Sequence, residues 1–199
     1  MTTLAYPTTW HFRPDQFEAE LRANVLVSTS PLTGAMQTVQ IPGTRWIFRL
    51  TFGNASAAEQ AEREAWFSQL EGMANRAALW HHARPLPRGT RQTDTTLASS
   101  ASSAATSLSL NATTGQTLLK GDMLAVGGQL LQVIADATAA AGVLTVSVRP
   151  SLRAAVASLA AVTLVRPTGE FILTTPGISI GYEGPTGAGF MAEFTQVLT

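Results

Sequence analysis

Thr95-Thr96-Leu97-Ala98-Ser99-Ser100-Ala101-Ser102-Ser103-Ala104-Ala105-Thr106 divides this chain. The segments of roughly 1–90 and 166–199 are amphipathic and rich in aromatics. The stretch between them is almost free of aromatics and rich in Ala, Ser and Thr, and it ends at Val165-Arg166-Pro167-Thr168-Gly169. Each outer segment is too sparse in strands to close a sheet alone. The sequence therefore predicts one discontinuous domain, 1–92 with 166–199, and a small domain, 95–165, inserted into one of its loops. The Ser/Ala/Thr-rich opening reads as a flexible polar linker from which the insert projects.

The outer pattern is clearest in Arg45-Trp46-Ile47-Phe48-Arg49-Leu50-Thr51-Phe52. Trp46, Phe48, Leu50 and Phe52 share one face, with Arg45, Arg49 and Thr51 on the other, which is the period of a half-buried strand. Working back, Met36 to Ile41 alternates, and Phe17 to Val25 reads as a strand leading into Val25-Leu26-Val27. Ser30-Pro31-Leu32-Thr33-Gly34 is a turn signal, and Pro42-Gly43 a second. Working forward, Ser56-Ala57-Ala58-Glu59 is a capping box that opens a helix of about 56–71. Ala58, Ala61 and Ala65 form a small-residue stripe beside Trp66, Phe67 and Leu70, and Gly72 is a left-handed stop. Ala77 to His82 reads as a further strand.

The insert carries a compact β pattern. Thr106 to Leu110 alternates, Leu118 to Ile134 reads as turn, strand, Gly127-Gly128 hairpin and strand, and Val143 to Val148 and Ala161 to Val165 follow. Five short strands in so little chain predict a small barrel or sandwich. The last segment returns to the alternation of the first. Glu170 to Leu173 and Gly177 to Tyr182 read as strands, and Gly184 to Gly189 as a flexible loop. Phe190 to Leu198 alternates, with Phe190, Ala192, Phe194 and Gln196 on one face. The expected fold class is mainly β: a belt-like sandwich with one helix, interrupted by a small barrel-like unit.

Composition narrows the function. Lys plus Arg equals Asp plus Glu at 13 each, so the basic excess usual in nucleic-acid binders is missing. Charged residues make up only 13% of the chain, which predicts surface covered by neighbouring subunits. Without cysteine there are no disulfides, thiolate catalysis or Cys-ligated zinc. No apolar run is long enough to span a membrane, and no signal peptide is expected at the N-terminus.

No catalytic, cofactor-binding or metal-ligating set emerges. His81-His82 on a strand point to opposite faces, which prevents joint ligation with His11. Asp94, Asp122 and Asp136 fit no acid–base spacing, and Asp122 after Gly121 reads as a turn residue. There is no nucleophile elbow, and the glycines of 184–189 precede no helix that would cradle a phosphate. Trp10, Trp46, Trp66 and Trp80 are expected in the core rather than on a sugar-stacking surface.

The run Ser30-Pro31-Leu32-Thr33-Gly34-x-x-Gln37, followed by Gly43-x-Arg45-Trp46 and the helix, resembles structural proteins of long-tailed, siphovirus-like bacteriophages. So does Leu119-Lys120-Gly121-Asp122-x-Leu124-x-x-Gly127-Gly128-Gln129-Leu130 with Pro150-x-Leu152-Arg153. The nearest role is the distal tail protein, a baseplate component whose ring joins the tail tube to the baseplate or tail tip. The resemblance implies a non-enzymatic virion protein, made in the host cytoplasm, without cofactor, nucleic-acid binding or membrane insertion. It implies a homo-oligomeric, hexameric ring with the tail tube protein on one face and a tail-tip hub protein on the other. Ring closure needs two complementary patches. One is expected on the Val25–Ile41 hairpin, at Ser30, Pro31, Leu32, Thr33, Gly34 and Met36. The alternatives are a carbohydrate-binding or host-surface adhesion module of a tail, another tail or connector subunit, and a wall-degrading hydrolase.

Overall fold

The structure is a computed structural model that describes residues 1–41, 43–183 and 186–197. It is mainly β, with one α-helix among the described residues. Pro42 of the second turn, Gly184 and Pro185 of the glycine-rich loop, and Leu198 lie outside the described residues.

The first sheet has six strands in the order Thr3–Ala5, Arg76–Trp80, Thr168–Leu173, Phe190–Gln196, Arg45–Phe52, Gln16–Arg22. All neighbours are antiparallel except the first pair, where Leu4 lies beside Ala77 in parallel. The alternation in Arg45–Phe52 sets the register. Phe48 pairs with Phe194, Leu50 with Ala192 and Phe52 with Phe190, so large apolar side chains meet on one face. Phe48 stacks on Phe171 at 4.6 Å, and Phe52 on Phe190 at 4.9 Å. The opposite face carries the ions: Arg49 is bracketed by Glu18, Glu20 and Glu193.

Helix Ala57–Gln69 covers the apolar face. Its start is the expected capping box: Ser56 Oγ accepts from the Glu59 N–H, and the Ser56 N–H donates to Glu59 Oε2 at 3.0 Å. Its buried side keeps the expected Trp66, Phe67 and Leu70 but not the alanine stripe. Ala58, Ala61 and Ala65 face solvent, whereas Gln60, Arg63, Trp66, Phe67 and Leu70 are buried. The bulky residues choose the inward face because they remove more apolar area from water than alanines do. Arg63 comes along, its charge answered by the carbonyls of His11 and Gly53, each at 2.8 Å. The chain leaves the helix through two left-handed residues, Glu71 and Gly72.

Between Arg76–Trp80 and Thr168–Leu173 the chain builds a second six-stranded sheet. Its order is Thr95–Thr96, Ala161–Thr163, Met123–Val126, Gln129–Val133, Val143–Arg149, Ser107–Asn111. A bridge between Leu97 and Leu110 joins the two ends and nearly closes it into a barrel. Gly127 and Gly128 both take positive φ, as a two-residue hairpin of type I′ requires. Leu97, Leu110, Leu124, Leu131, Val146 and Val162 fill the interior.

Three expectations are corrected here. The Ser/Ala/Thr-rich opening is not a flexible linker. Thr95–Thr96 is a barrel strand, Leu97 is fully buried, and the Ala101 and Ala104 N–H groups donate to Val156 and Leu152 carbonyls. Small side chains let that backbone lie close against the barrel and bond to it. The barrel also does not project freely: Met123 and Leu130 belong to the core of the first sheet, and Gln196 reaches Leu130 O at 3.4 Å. Finally, Gly177–Gly181 forms no strand; only Tyr182–Glu183 pairs, with Thr186–Gly187.

Candidate functional site

Strands Val25–Thr29 and Met36–Gln40 pair with each other and with no third strand among the described residues. They form an arm. Its turn is held by the Gly34 N–H to Ser30 O and the Ser30 N–H to Ala35 O, each at 2.9 Å, with Gly34 at φ +69°. The root is tied by the Ile41 N–H to Asn24 O at 2.8 Å. Within the arm, Val27 lies opposite Thr38 and Leu26 opposite Val39, so apolar residues occur on both faces.

Every residue of both strands is exposed. Leu32 at the tip is 94% exposed, Met36 70% and Leu26 59%. Of the expected patch, Pro31, Leu32, Thr33, Gly34 and Met36 are exposed and Ser30 is half-buried. No charged residue occurs between Arg22 and Arg45. Free strand edges are ordinarily protected by charge, proline inside the strand or a covering element. Neither strand of this arm contains a charge or a proline, and no described element covers it. An isolated two-stranded ribbon is marginal in water.

The histidines lie elsewhere and do not behave as the strand period predicts. Strand Arg76–Trp80 ends one residue before His81, and a turn follows in which the Arg84 N–H donates to His81 O at 2.9 Å. Both imidazoles therefore reach the same ring: His81 lies 4.9 Å and His82 5.2 Å from Phe17. Burial holds both neutral, lowering their pKa values to about 4. His11 sits apart, 2.9 Å from Glu62.

The three loop carboxylates are occupied by backbone. Asp122 accepts from the N–H groups of Leu119, Arg88 and Gly89. Asp94 accepts from Leu164 and Val165, and Asp136 from Lys120. Arg84, Arg88 and Arg91 pin the crossing segment to the barrel through Gly121 O, Lys120 O and Gln116 Oε1. These groups organise the passage between the sheets and do not converge on a common point. The described residues contain no cluster of three metal-ligating side chains, and none of their helices is long and apolar enough to cross a membrane. Of the tryptophans, Trp46 and Trp66 are buried as expected, but Trp80 is only half-buried, and Trp10 is 73% exposed. It belongs to a 3-10 turn, Trp10–Phe12, which turns His11 and Phe12 inward instead. No family model matches the chain, and the comparison with curated proteins found no match.

Proposed function

We propose that this chain is a ring-forming structural subunit of a phage tail, of the distal-tail type, and that its arm is the patch each subunit offers to the next. In this reading 1–92 and 166–199 form the ring domain and 95–165 an inserted domain seated on it. The subunit meets the tail tube on one side of the ring and the tail-tip hub on the other, has no catalytic role and resides in the virion. One observation supports assembly most strongly: the charge-free arm exposes apolar side chains on both faces and leaves both strand edges unpaired among the described residues. A neighbour that covers it would bury that surface and complete its hydrogen bonds. A head-to-tail contact of this kind closes into a ring when its rotation divides the circle. The sequence resemblance supplies the tail assignment.

Electron microscopy of the purified chain tests this reading. Closed rings are expected, hexameric by resemblance. A monodisperse monomer at micromolar concentration would overturn it.

A further inference from the structure

Away from the arm, a cavity of about 260 Å³ opens where the chain crosses between the two sheets. The crossing segments meet there, the Arg166 N–H donating to Pro85 O at 2.7 Å. The walls include Tyr6, Thr8, Arg13, Trp80, His82 and Arg166. Tyr6 and Trp80 meet edge to face at 5.4 Å. The Arg166 guanidinium stacks over the Trp80 ring at 5.7 Å.

Two features point to a ligand. First, neither Arg13 nor Arg166 has a carboxylate partner among the described residues. A stacked guanidinium keeps its planar N–H fork free, which suits two-point binding of a carboxylate. Second, Arg166 adopts φ 47°, a strained conformation for a residue with a Cβ, and such strain gathers at ligand sites.

Sites for drug-sized molecules occupy about 300–1,000 Å³, so this smaller cavity suits a single ring. Its carboxylate could belong to an acidic monosaccharide or to an acidic amino-acid side chain. Aromatic walls edged by Thr8 offer a ring both apolar contact and a hydroxyl partner, which favours the sugar. We propose that the cavity binds one acidic sugar ring, with Arg166 and Arg13 on its carboxylate and the Tyr6–Trp80 wall on its apolar face. This goes beyond assembly. The cavity is formed within one chain, so it can be tested in either oligomeric state, and failure of the ring leaves it standing.

The test is a titration followed by NMR, with glucuronate, glucose and N-acetylglutamate as probes. Saturable glucuronate binding is expected, at least tenfold tighter than either of the others. Arg166→Gln and Arg13→Gln should each weaken it at least fivefold with melting temperature unchanged. If Arg166→Gln melts early, Arg13→Gln carries the test alone, since that residue is exposed and outside the core. Bound glucuronate should also raise the His82 pKa, because a nearby anion favours imidazolium. Failure to saturate with glucuronate, equal binding of glucose or N-acetylglutamate, or undiminished binding by Arg13→Gln would each overturn the proposal.

Discussion

Two hairpins of this chain share an apolar pattern and meet opposite fates. Met123–Val126 with Gln129–Val133 is apolar on both faces, and only Gln132 among its strand residues escapes burial. Val25–Thr29 with Met36–Gln40 is also apolar on both faces, and all of it is exposed. The first is covered twice. Leu124, Val126, Leu131 and Val133 point into the barrel, and Met123 and Leu130 enter the core of the first sheet. The second has no cover among the described residues. Apolar alternation makes a hairpin, but burial depends on what lies above and below. Where the chain supplies neither, the surface waits for another molecule.

The comparison breaks most sharply if covered residues prove dispensable. Trp66→Ala and Phe67→Ala should each destabilise the protein by roughly 3–5 kcal/mol, because both rings fill the interface between helix and sheet. Leu130→Ala should cost roughly 2–5 kcal/mol, since it empties the seam between barrel and sheet. Urea denaturation measures both. A Leu130→Ala variant as stable as the parent would mean that the barrel does not dock as described.

Acid probes the covered core through the two imidazoles. In the folded chain His81 and His82 stay neutral down to about pH 4. Unfolded, they protonate near their ordinary value of about 6.5. The unfolded state therefore binds more protons between these limits, so the histidines lower stability as pH drops from about 6.5 to about 4, and their contribution levels off below. The loss is at most about 3 kcal/mol for each imidazole. Urea midpoints across this range measure it, and His81→Phe should flatten the slope. A midpoint that does not move across this range would place both rings in water.

Smaller effects sharpen the contrast. Ser56→Ala should cost about 1 kcal/mol through loss of the cap. Leu32→Asp and Met36→Asp should change the stability of the isolated chain by less than about 0.5 kcal/mol, as exposed substitutions do. Melting curves under dissociating conditions check both values.

Much of the first sheet was legible because its strands carry their own pattern. Arg45–Phe52 alternates so strongly that its ends can be read from the sequence, and Gly127-Gly128 names its turn type directly. Elements defined by distant partners were not legible. Thr3–Ala5 is three residues long and exists through its parallel pairing with Arg76–Ala78. Thr95–Thr96 and Leu97 sit in a Ser/Ala/Thr run whose composition resembles a linker, yet bonds to Ala160 and Ala161 make it part of the barrel wall. The arm was readable as a hairpin, but its complete exposure was not, because exposure depends on which other strands fail to reach it. The cavity beside Trp80 left no sequence signal: Tyr6, Arg13, His82 and Arg166 come together only through the fold.

Native mass spectrometry of the parent chain and of a Leu32→Asp/Met36→Asp double variant, at matched concentration, tests whether the arm joins one subunit to the next. A closed homo-oligomer is expected for the parent and a folded monomer of unchanged melting temperature for the variant. A monomeric parent, or a variant that assembles as the parent does, would contradict it.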